Sequence, residues 1–149
     1  MEEIVTLQKN IQLLIDNFDE IIKSCIADND ESIIKIQQNQ MLLGENSEGD
    51  KIGMYQDVFY ADEKYSMNTK AGHGYVDLKY SGDFYNAMFL KIVGDEFEID
   101  STDEKAKDLK DKYNKNGDIF GINDNNFDTL IELIEDKFLV ILKEKYNIE

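Results

Sequence analysis

Both ends of the chain carry a helical hydrophobic stripe, and this pair limits the fold more than any other feature. Ile4, Leu7, Ile11, Leu14, Phe18, Ile21 and Cys25 recur at spacings of three and four, the period of one helix face. Ile15 and Ile22 widen the stripe, while Gln8, Lys9, Asn10, Asp16, Asn17, Glu20 and Lys23 take the other faces. The pattern predicts a helix over roughly 2–26. The run covers only about three heptads and is broader than a coiled-coil seam, so it reads as a core or subunit-interface helix. At the other end, Phe127, Leu130, Ile131, Ile134, Phe138, Ile141 and Leu142 predict an amphipathic helix over roughly 126–146.

Between them the signals are shorter. Ala27-Asp28-Asn29-Asp30 reads as a break, with Asp30 a candidate N-cap for a helix carrying Ile33, Ile34 and Ile36 and fading near Met41. Gly44 to Asp50 is rich in Gly and Asn, the chemistry of turns. Ile52 to Tyr75 is polar and aromatic without clear periodicity and reads as a long, mobile surface loop. Ser81-Gly82-Asp83 opens a short helix through Asn86. Met88 to Val93, a turn at Gly94, and Phe97 to Asp100 form a β-hairpin whose second arm alternates apolar and acidic residues. Ser101 or Thr102 caps a helix over 104–113, followed by a glycine-marked loop with an apolar plug of Ile119, Phe120 and Ile122. The expected fold class is α+β: long N- and C-terminal helices packed on a small antiparallel sheet, with a long irregular loop. Residues 1–149 are expected to form one domain, since the length sits within the usual single-domain range.

Composition then restricts function. The 32 acidic and 16 basic residues give a net charge of −16, the wrong sign for gripping phosphates through clustered Lys and Arg. Sequence-specific nucleic-acid binding is not expected. Such charge serves solubility, mimicry of nucleic acid, or a lumen that must not hold the DNA passing through it. The single cysteine allows no intramolecular disulfide and points to a reducing compartment. No basic region followed by an apolar run opens the chain, and no apolar stretch approaches the ~18 residues of a spanning helix, so neither a secretory signal nor a membrane anchor is expected.

Candidate chemical sites are few. His73, the sole histidine, lies between Gly72 and Gly74 with no partnered motif around it. Cys25 falls on the apolar stripe, where a buried small hydrophobe is expected rather than a nucleophile. Lys112 to Asn123 can be aligned with a calcium loop through Gly117, but a cation then stands first and Asn last, where carboxylates are needed. One His and one Cys cannot make a Cys/His zinc site, and no phosphate-binding glycine motif is present. The expectation is a chain with no catalytic residues, no cofactor and no metal: not an enzyme.

Two blocks together carry a resemblance. The first runs Gln40-Met41-Leu42-Leu43-Gly44-Glu45-Asn46-Ser47-Glu48-Gly49-Asp50-Lys51-Ile52-Gly53-Met54-Tyr55, the second Val76-Asp77-Leu78-Lys79-Tyr80-Ser81-Gly82-Asp83-Phe84-Tyr85-Asn86-Ala87-Met88. The pair resembles the virion-morphogenesis and tail-completion proteins of tailed phages, and more closely prophage proteins of Bacteroidetes-type genomes. In the latter, a later Lys-Tyr-Gly-x-x-Ile-x-Gly-Leu precedes a C-terminal helix; here Lys112-Tyr113 and Asp118-Ile119-Phe120-Gly121-Ile122 stand in that place. The likeness spans roughly 33–146. Ser81 replaces the usual Thr, and Ile52 stands where Trp is frequent. The resemblance implies a structural virion protein at the head–tail junction or tail end, a neck, connector or tail-completion component assembling as a ring. Its partners would be copies of itself and phage portal, connector or tail proteins, with DNA passing through a lumen without specific binding. Its locations would be the host cytoplasm during assembly and then the virion.

Within that reading, Tyr55, Val58, Phe59, Tyr60, Tyr65 and Met67 are expected to clasp a neighbour, because so many apolar groups in an aperiodic loop need a cover. Phe84 and Tyr85 are expected to anchor the short helix against the hairpin or a neighbouring subunit, and Gly49 and Gly82 to hold turns. The alternative is a small acidic DNA mimic that occupies a host nucleic-acid enzyme; an enzyme with carboxylate-bound magnesium is the third and weakest reading.

Overall fold

A computed structural model describes residues 1–149 and shows a mixed α+β fold. The helices are α1 (Glu2–Asp16), α2 (Phe18–Asp28), α3 (Asp30–Leu42), α4 (Val58–Met67), α5 (Asp83–Asn86), α6 (Ala106–Tyr113) and α7 (Asp124–Lys145), and the strands are β1 (Met88–Val93) and β2 (Glu96–Ser101). Contacts gather into two compact units, one of Met1–Asp30 with Thr129–Glu149 and the other of Glu31–Asp128.

In the unit formed by the chain ends, the α2 part of the first stripe packs on α7. Ile21, Cys25 and Tyr146 form a core with Leu14, Ile134, Phe138 and Ile141 packed around it, and Phe18 meets Phe138 edge to face at 5.8 Å. The first helix is not continuous as its periodicity predicts. Asn17 interrupts it: its side-chain amide donates to the Leu13 carbonyl at 2.8 Å, offering the backbone a local alternative to the helical ladder. None of the residues of α1 is buried, and Ile4, Val5, Leu7, Ile11, Leu13 and Ile15 are all exposed. Cys25 is fully buried as expected, and burial, then the charge of Asp28, pushes its thiol pKa up.

The other unit is built around Met41, Ile52, Val76, Phe84, Tyr85, Met88, Ala106 and Ile119. Helix α3 ends in a Schellman closure: Gly44 has φ +74, its N–H donates to the Met41 carbonyl at 2.8 Å, and the Glu45 N–H reaches the Gln40 carbonyl at 3.1 Å. The acidic turn that follows is wound around Asn46, whose Oδ1 accepts from the backbone N–H groups of Glu48 and Asp50. Gly49 and Gly82 both have positive φ, +84 and +93, a conformation costly for residues with a Cβ.

Four buried amides then tie the acidic turn to the 119–123 loop. Gln37 donates to the Ile119 carbonyl and accepts from the Gly121 N–H. Gln40 donates to the Gly121 carbonyl and accepts from the Asn123 N–H. Asn123 reaches the Asn46 carbonyl and Glu45, while Asn46 donates to the Asn116 carbonyl. No buried side-chain polar atom is left without a partner. The 112–123 stretch is therefore a pinned turn, with Asn114 Oδ1 accepting from the Ile119 N–H at 2.9 Å.

The hairpin pairs antiparallel from Met88↔Ser101 to Val93↔Glu96. Gly94 opens its two-residue turn at φ +61, the place a primed turn favours glycine. Met88 and Ile99 are buried at its base, whereas Lys91 to Glu96 are exposed at its far end.

The stretch from Ile52 to Tyr75 departs from expectation. Rather than a mobile irregular loop throughout, its middle is the ordered helix α4. Asp57 starts it, with Oδ1 accepting from the Tyr60 N–H at 3.0 Å, a regular N-cap. The buried face consists of Ala61 and Lys64, so hydrophobic periodicity could not reveal it.

Candidate binding pocket

Lys64 is the pivot of the most distinctive polar cluster. Its ammonium pairs with Asp77 Oδ1 at 2.6 Å, with side chains only 4% and 3% exposed, and donates to the Lys79 carbonyl. Asp77 also accepts from Asn68 Nδ2 at 2.8 Å and the Lys79 N–H at 2.9 Å. Asn68 donates onward to the Leu42 carbonyl, and the Tyr85 hydroxyl to the Asp77 carbonyl at 2.5 Å. A buried carboxylate with this many donors and a cation is fully satisfied. The cluster locks α4 against residues 76–79, where Leu78 is held at φ +61, an uncommon conformation for a branched residue.

That clamp forms one wall of a cavity of about 510 Å³. Tyr55, Tyr60, Tyr80 and Tyr113 supply aromatic surface, Leu78 and Leu109 aliphatic surface, and Lys79, Lys105 and Lys112 positive charge. Tyr60 meets Tyr55 edge to face at 5.0 Å and lies near-parallel to Tyr80 at 6.3 Å. Burial, followed by the Asp77 charge, pushes the Tyr55 hydroxyl well above its usual pKa; burial and the Tyr80 and Glu63 groups raise that of Tyr60. Both stay protonated donors at neutral pH. Asp57 is the sole acid among the lining residues and spends one oxygen on the α4 cap. In a chain with two acids per base, the sign is inverted here. The arrangement suits an anionic group attached to an apolar or flat one.

No family model matches the chain, and neither does any curated protein or solved structure.

Of the residues expected at an interface, Tyr55 and Tyr60 line this pocket, while Val58, Phe59, Tyr65 and Met67 are exposed on α4, Phe59 at 87%. Phe84 and Tyr85 are both buried in the core of their unit. Their rings share that core with Met88 at the base of the hairpin, and the Ser101 hydroxyl of β2 donates to the Phe84 carbonyl at 2.9 Å. They thus anchor the short helix against the hairpin, the first of the two placements expected of them. His73 sits on the surface, 2.6 Å from Asp62 and edge-on to Tyr65. No group of three or more His, Cys, Asp and Glu side chains converges as metal ligands do, and no helix is long and apolar enough to cross a membrane.

Sequence reasoning missed the Lys64–Asp77 pair and the lysines of the pocket. The two stand thirteen positions apart, a spacing with no local meaning. Asp57 ahead of Val-Phe-Tyr-Ala was the available sign that a helix begins there.

Proposed function

We propose that this chain is a structural protein of a tailed-phage virion, a neck, connector or tail-completion component that assembles as a ring and performs no catalysis. The observation that carries the assembly reading is α1. A helix with Ile4, Leu7, Ile11, Leu13 and Ile15 exposed forgoes about 1.5–3 kcal/mol for each side chain of this size that a partner could enclose. Apolar side chains exposed along one helix mark an interaction site; in the other unit α4 separately exposes Val58, Phe59 and Met67.

The phage assignment within that class rests on the two sequence blocks. Much of both has an architectural role: Gln40, Gly44, Asn46 and Gly49 build the acidic turn, and Asp77, Gly82, Phe84 and Tyr85 build the clamp and the core. Motifs that specify a scaffold rather than reacting groups fit a particle component. The net charge of −16 fits a wall past which DNA slides without sticking. Portal, connector or tail proteins would be its further partners.

Negative-stain microscopy of the purified full chain tests this reading. Closed rings of uniform diameter are expected. A compact one-to-one complex with a basic nucleic-acid enzyme, and no rings at any concentration, would overturn it in favour of a DNA mimic.

A further inference from the structure

We infer that the lysine and tyrosine pocket receives the acidic hairpin turn of a second copy of this chain, a contact that rests on the ring-assembly reading and specifies its joint. The argument begins with charge. Lys79, Lys105 and Lys112 are exposed at the pocket, and the ion pairs of the molecule engage other cations. Lys79 and Lys112 instead lie over the rings of Tyr85 and Tyr113, at 5.5 and 5.2 Å. Three cations without carboxylate partners, in so acidic a protein, form a ready acceptor for an acidic segment.

The hairpin turn has the matching chemistry. Asp95 and Glu96 are exposed at its tip beside the exposed apolar side chains of Ile92 and Val93. Carboxylates can meet the lysines while Val93 enters against Leu78, Leu109 and the tyrosine rings. Residues 91–98 contribute nothing to the pocket lining, so the turn and its receptor are separate surfaces of one subunit. Such a contact is heterologous: each copy offers one turn and one pocket, and repetition closes into a ring when the rotation permits. Charged groups at the mouth also fix register and suppress wrong pairings.

Charge reversal tests this by sedimentation of the full chain. K79E/K105E changes only exposed residues of the pocket, and D95K/E96K changes only the turn. Each is expected to weaken self-association by about a hundredfold through like-charge opposition. The chain carrying all four changes should regain it, because turn and pocket are complementary again. Rescue also shows that the reversed chains still fold. Rings that persist in both reversed variants would overturn the joint and leave the assembly reading standing. A wild-type chain that never associates would overturn both. If inorganic pyrophosphate binds the wild type but not K79E/K105E, and assembly is unchanged, the pocket is a small-anion site and the proposal fails.

Discussion

Lys64 shows how a single residue can organise a region without reacting with anything. A buried ammonium is costly unless its charge and its donors are matched, and Asp77 with the Lys79 carbonyl supply that match. Lys64→Met should leave the Asp77 carboxylate buried without its cation. A loss of about 3–5 kcal/mol is expected from urea titration. K64M/D77N should recover part of it, since the uncompensated charge is then gone. A K64M loss below about 1 kcal/mol would show that the pair is solvated rather than buried. The effect should extend to the pocket, because α4 carries Tyr60 and Lys64 into the wall that residues 76–79 complete.

At the scale of elements, order in the irregular part of the chain comes from buried amides more than from apolar area. Gln40→Leu is close in size but leaves the Asn123 N–H and the Gly121 carbonyl without their side-chain partner. Each orphaned buried group costs about 1–3 kcal/mol, so a loss of at least ~2 kcal/mol is expected by thermal or urea unfolding. An unchanged midpoint would mean that water replaces the network. Several elements were legible from sequence: the hairpin, α3, α6 and α7 lie close to where they are expected, although α6 starts behind Lys105 with no side-chain cap rather than at Ser101 or Thr102. Helix α4 was not, because a helix that buries Ala61 and Lys64 has no apolar stripe to read. The Asn17 break was hidden for a related reason. No Gly or Pro marks it, and the apolar spacing runs straight through. The pocket was illegible because its lysines lie in segments of chain joined only by tertiary contacts. What could be read was its aromatic share, since Tyr55 and Tyr60 stand out in a polar segment.

For the whole molecule, charge and exposed apolar surface pull in opposite directions. A net charge of −16 keeps copies apart, while α1 and α4 expose apolar side chains that the proposed assembly would cover. A protein that worked alone would gain from losing that surface. A protein that assembles needs it, with the charge restricting association to matched contacts. Light scattering of the full chain across a wide concentration range, beside L7E/I11E, tests this most directly. The account predicts that the wild type reaches a defined multiple of 17.3 kDa and that L7E/I11E, folded by circular dichroism, stays smaller. A wild-type mass of 17.3 kDa at every concentration would contradict it.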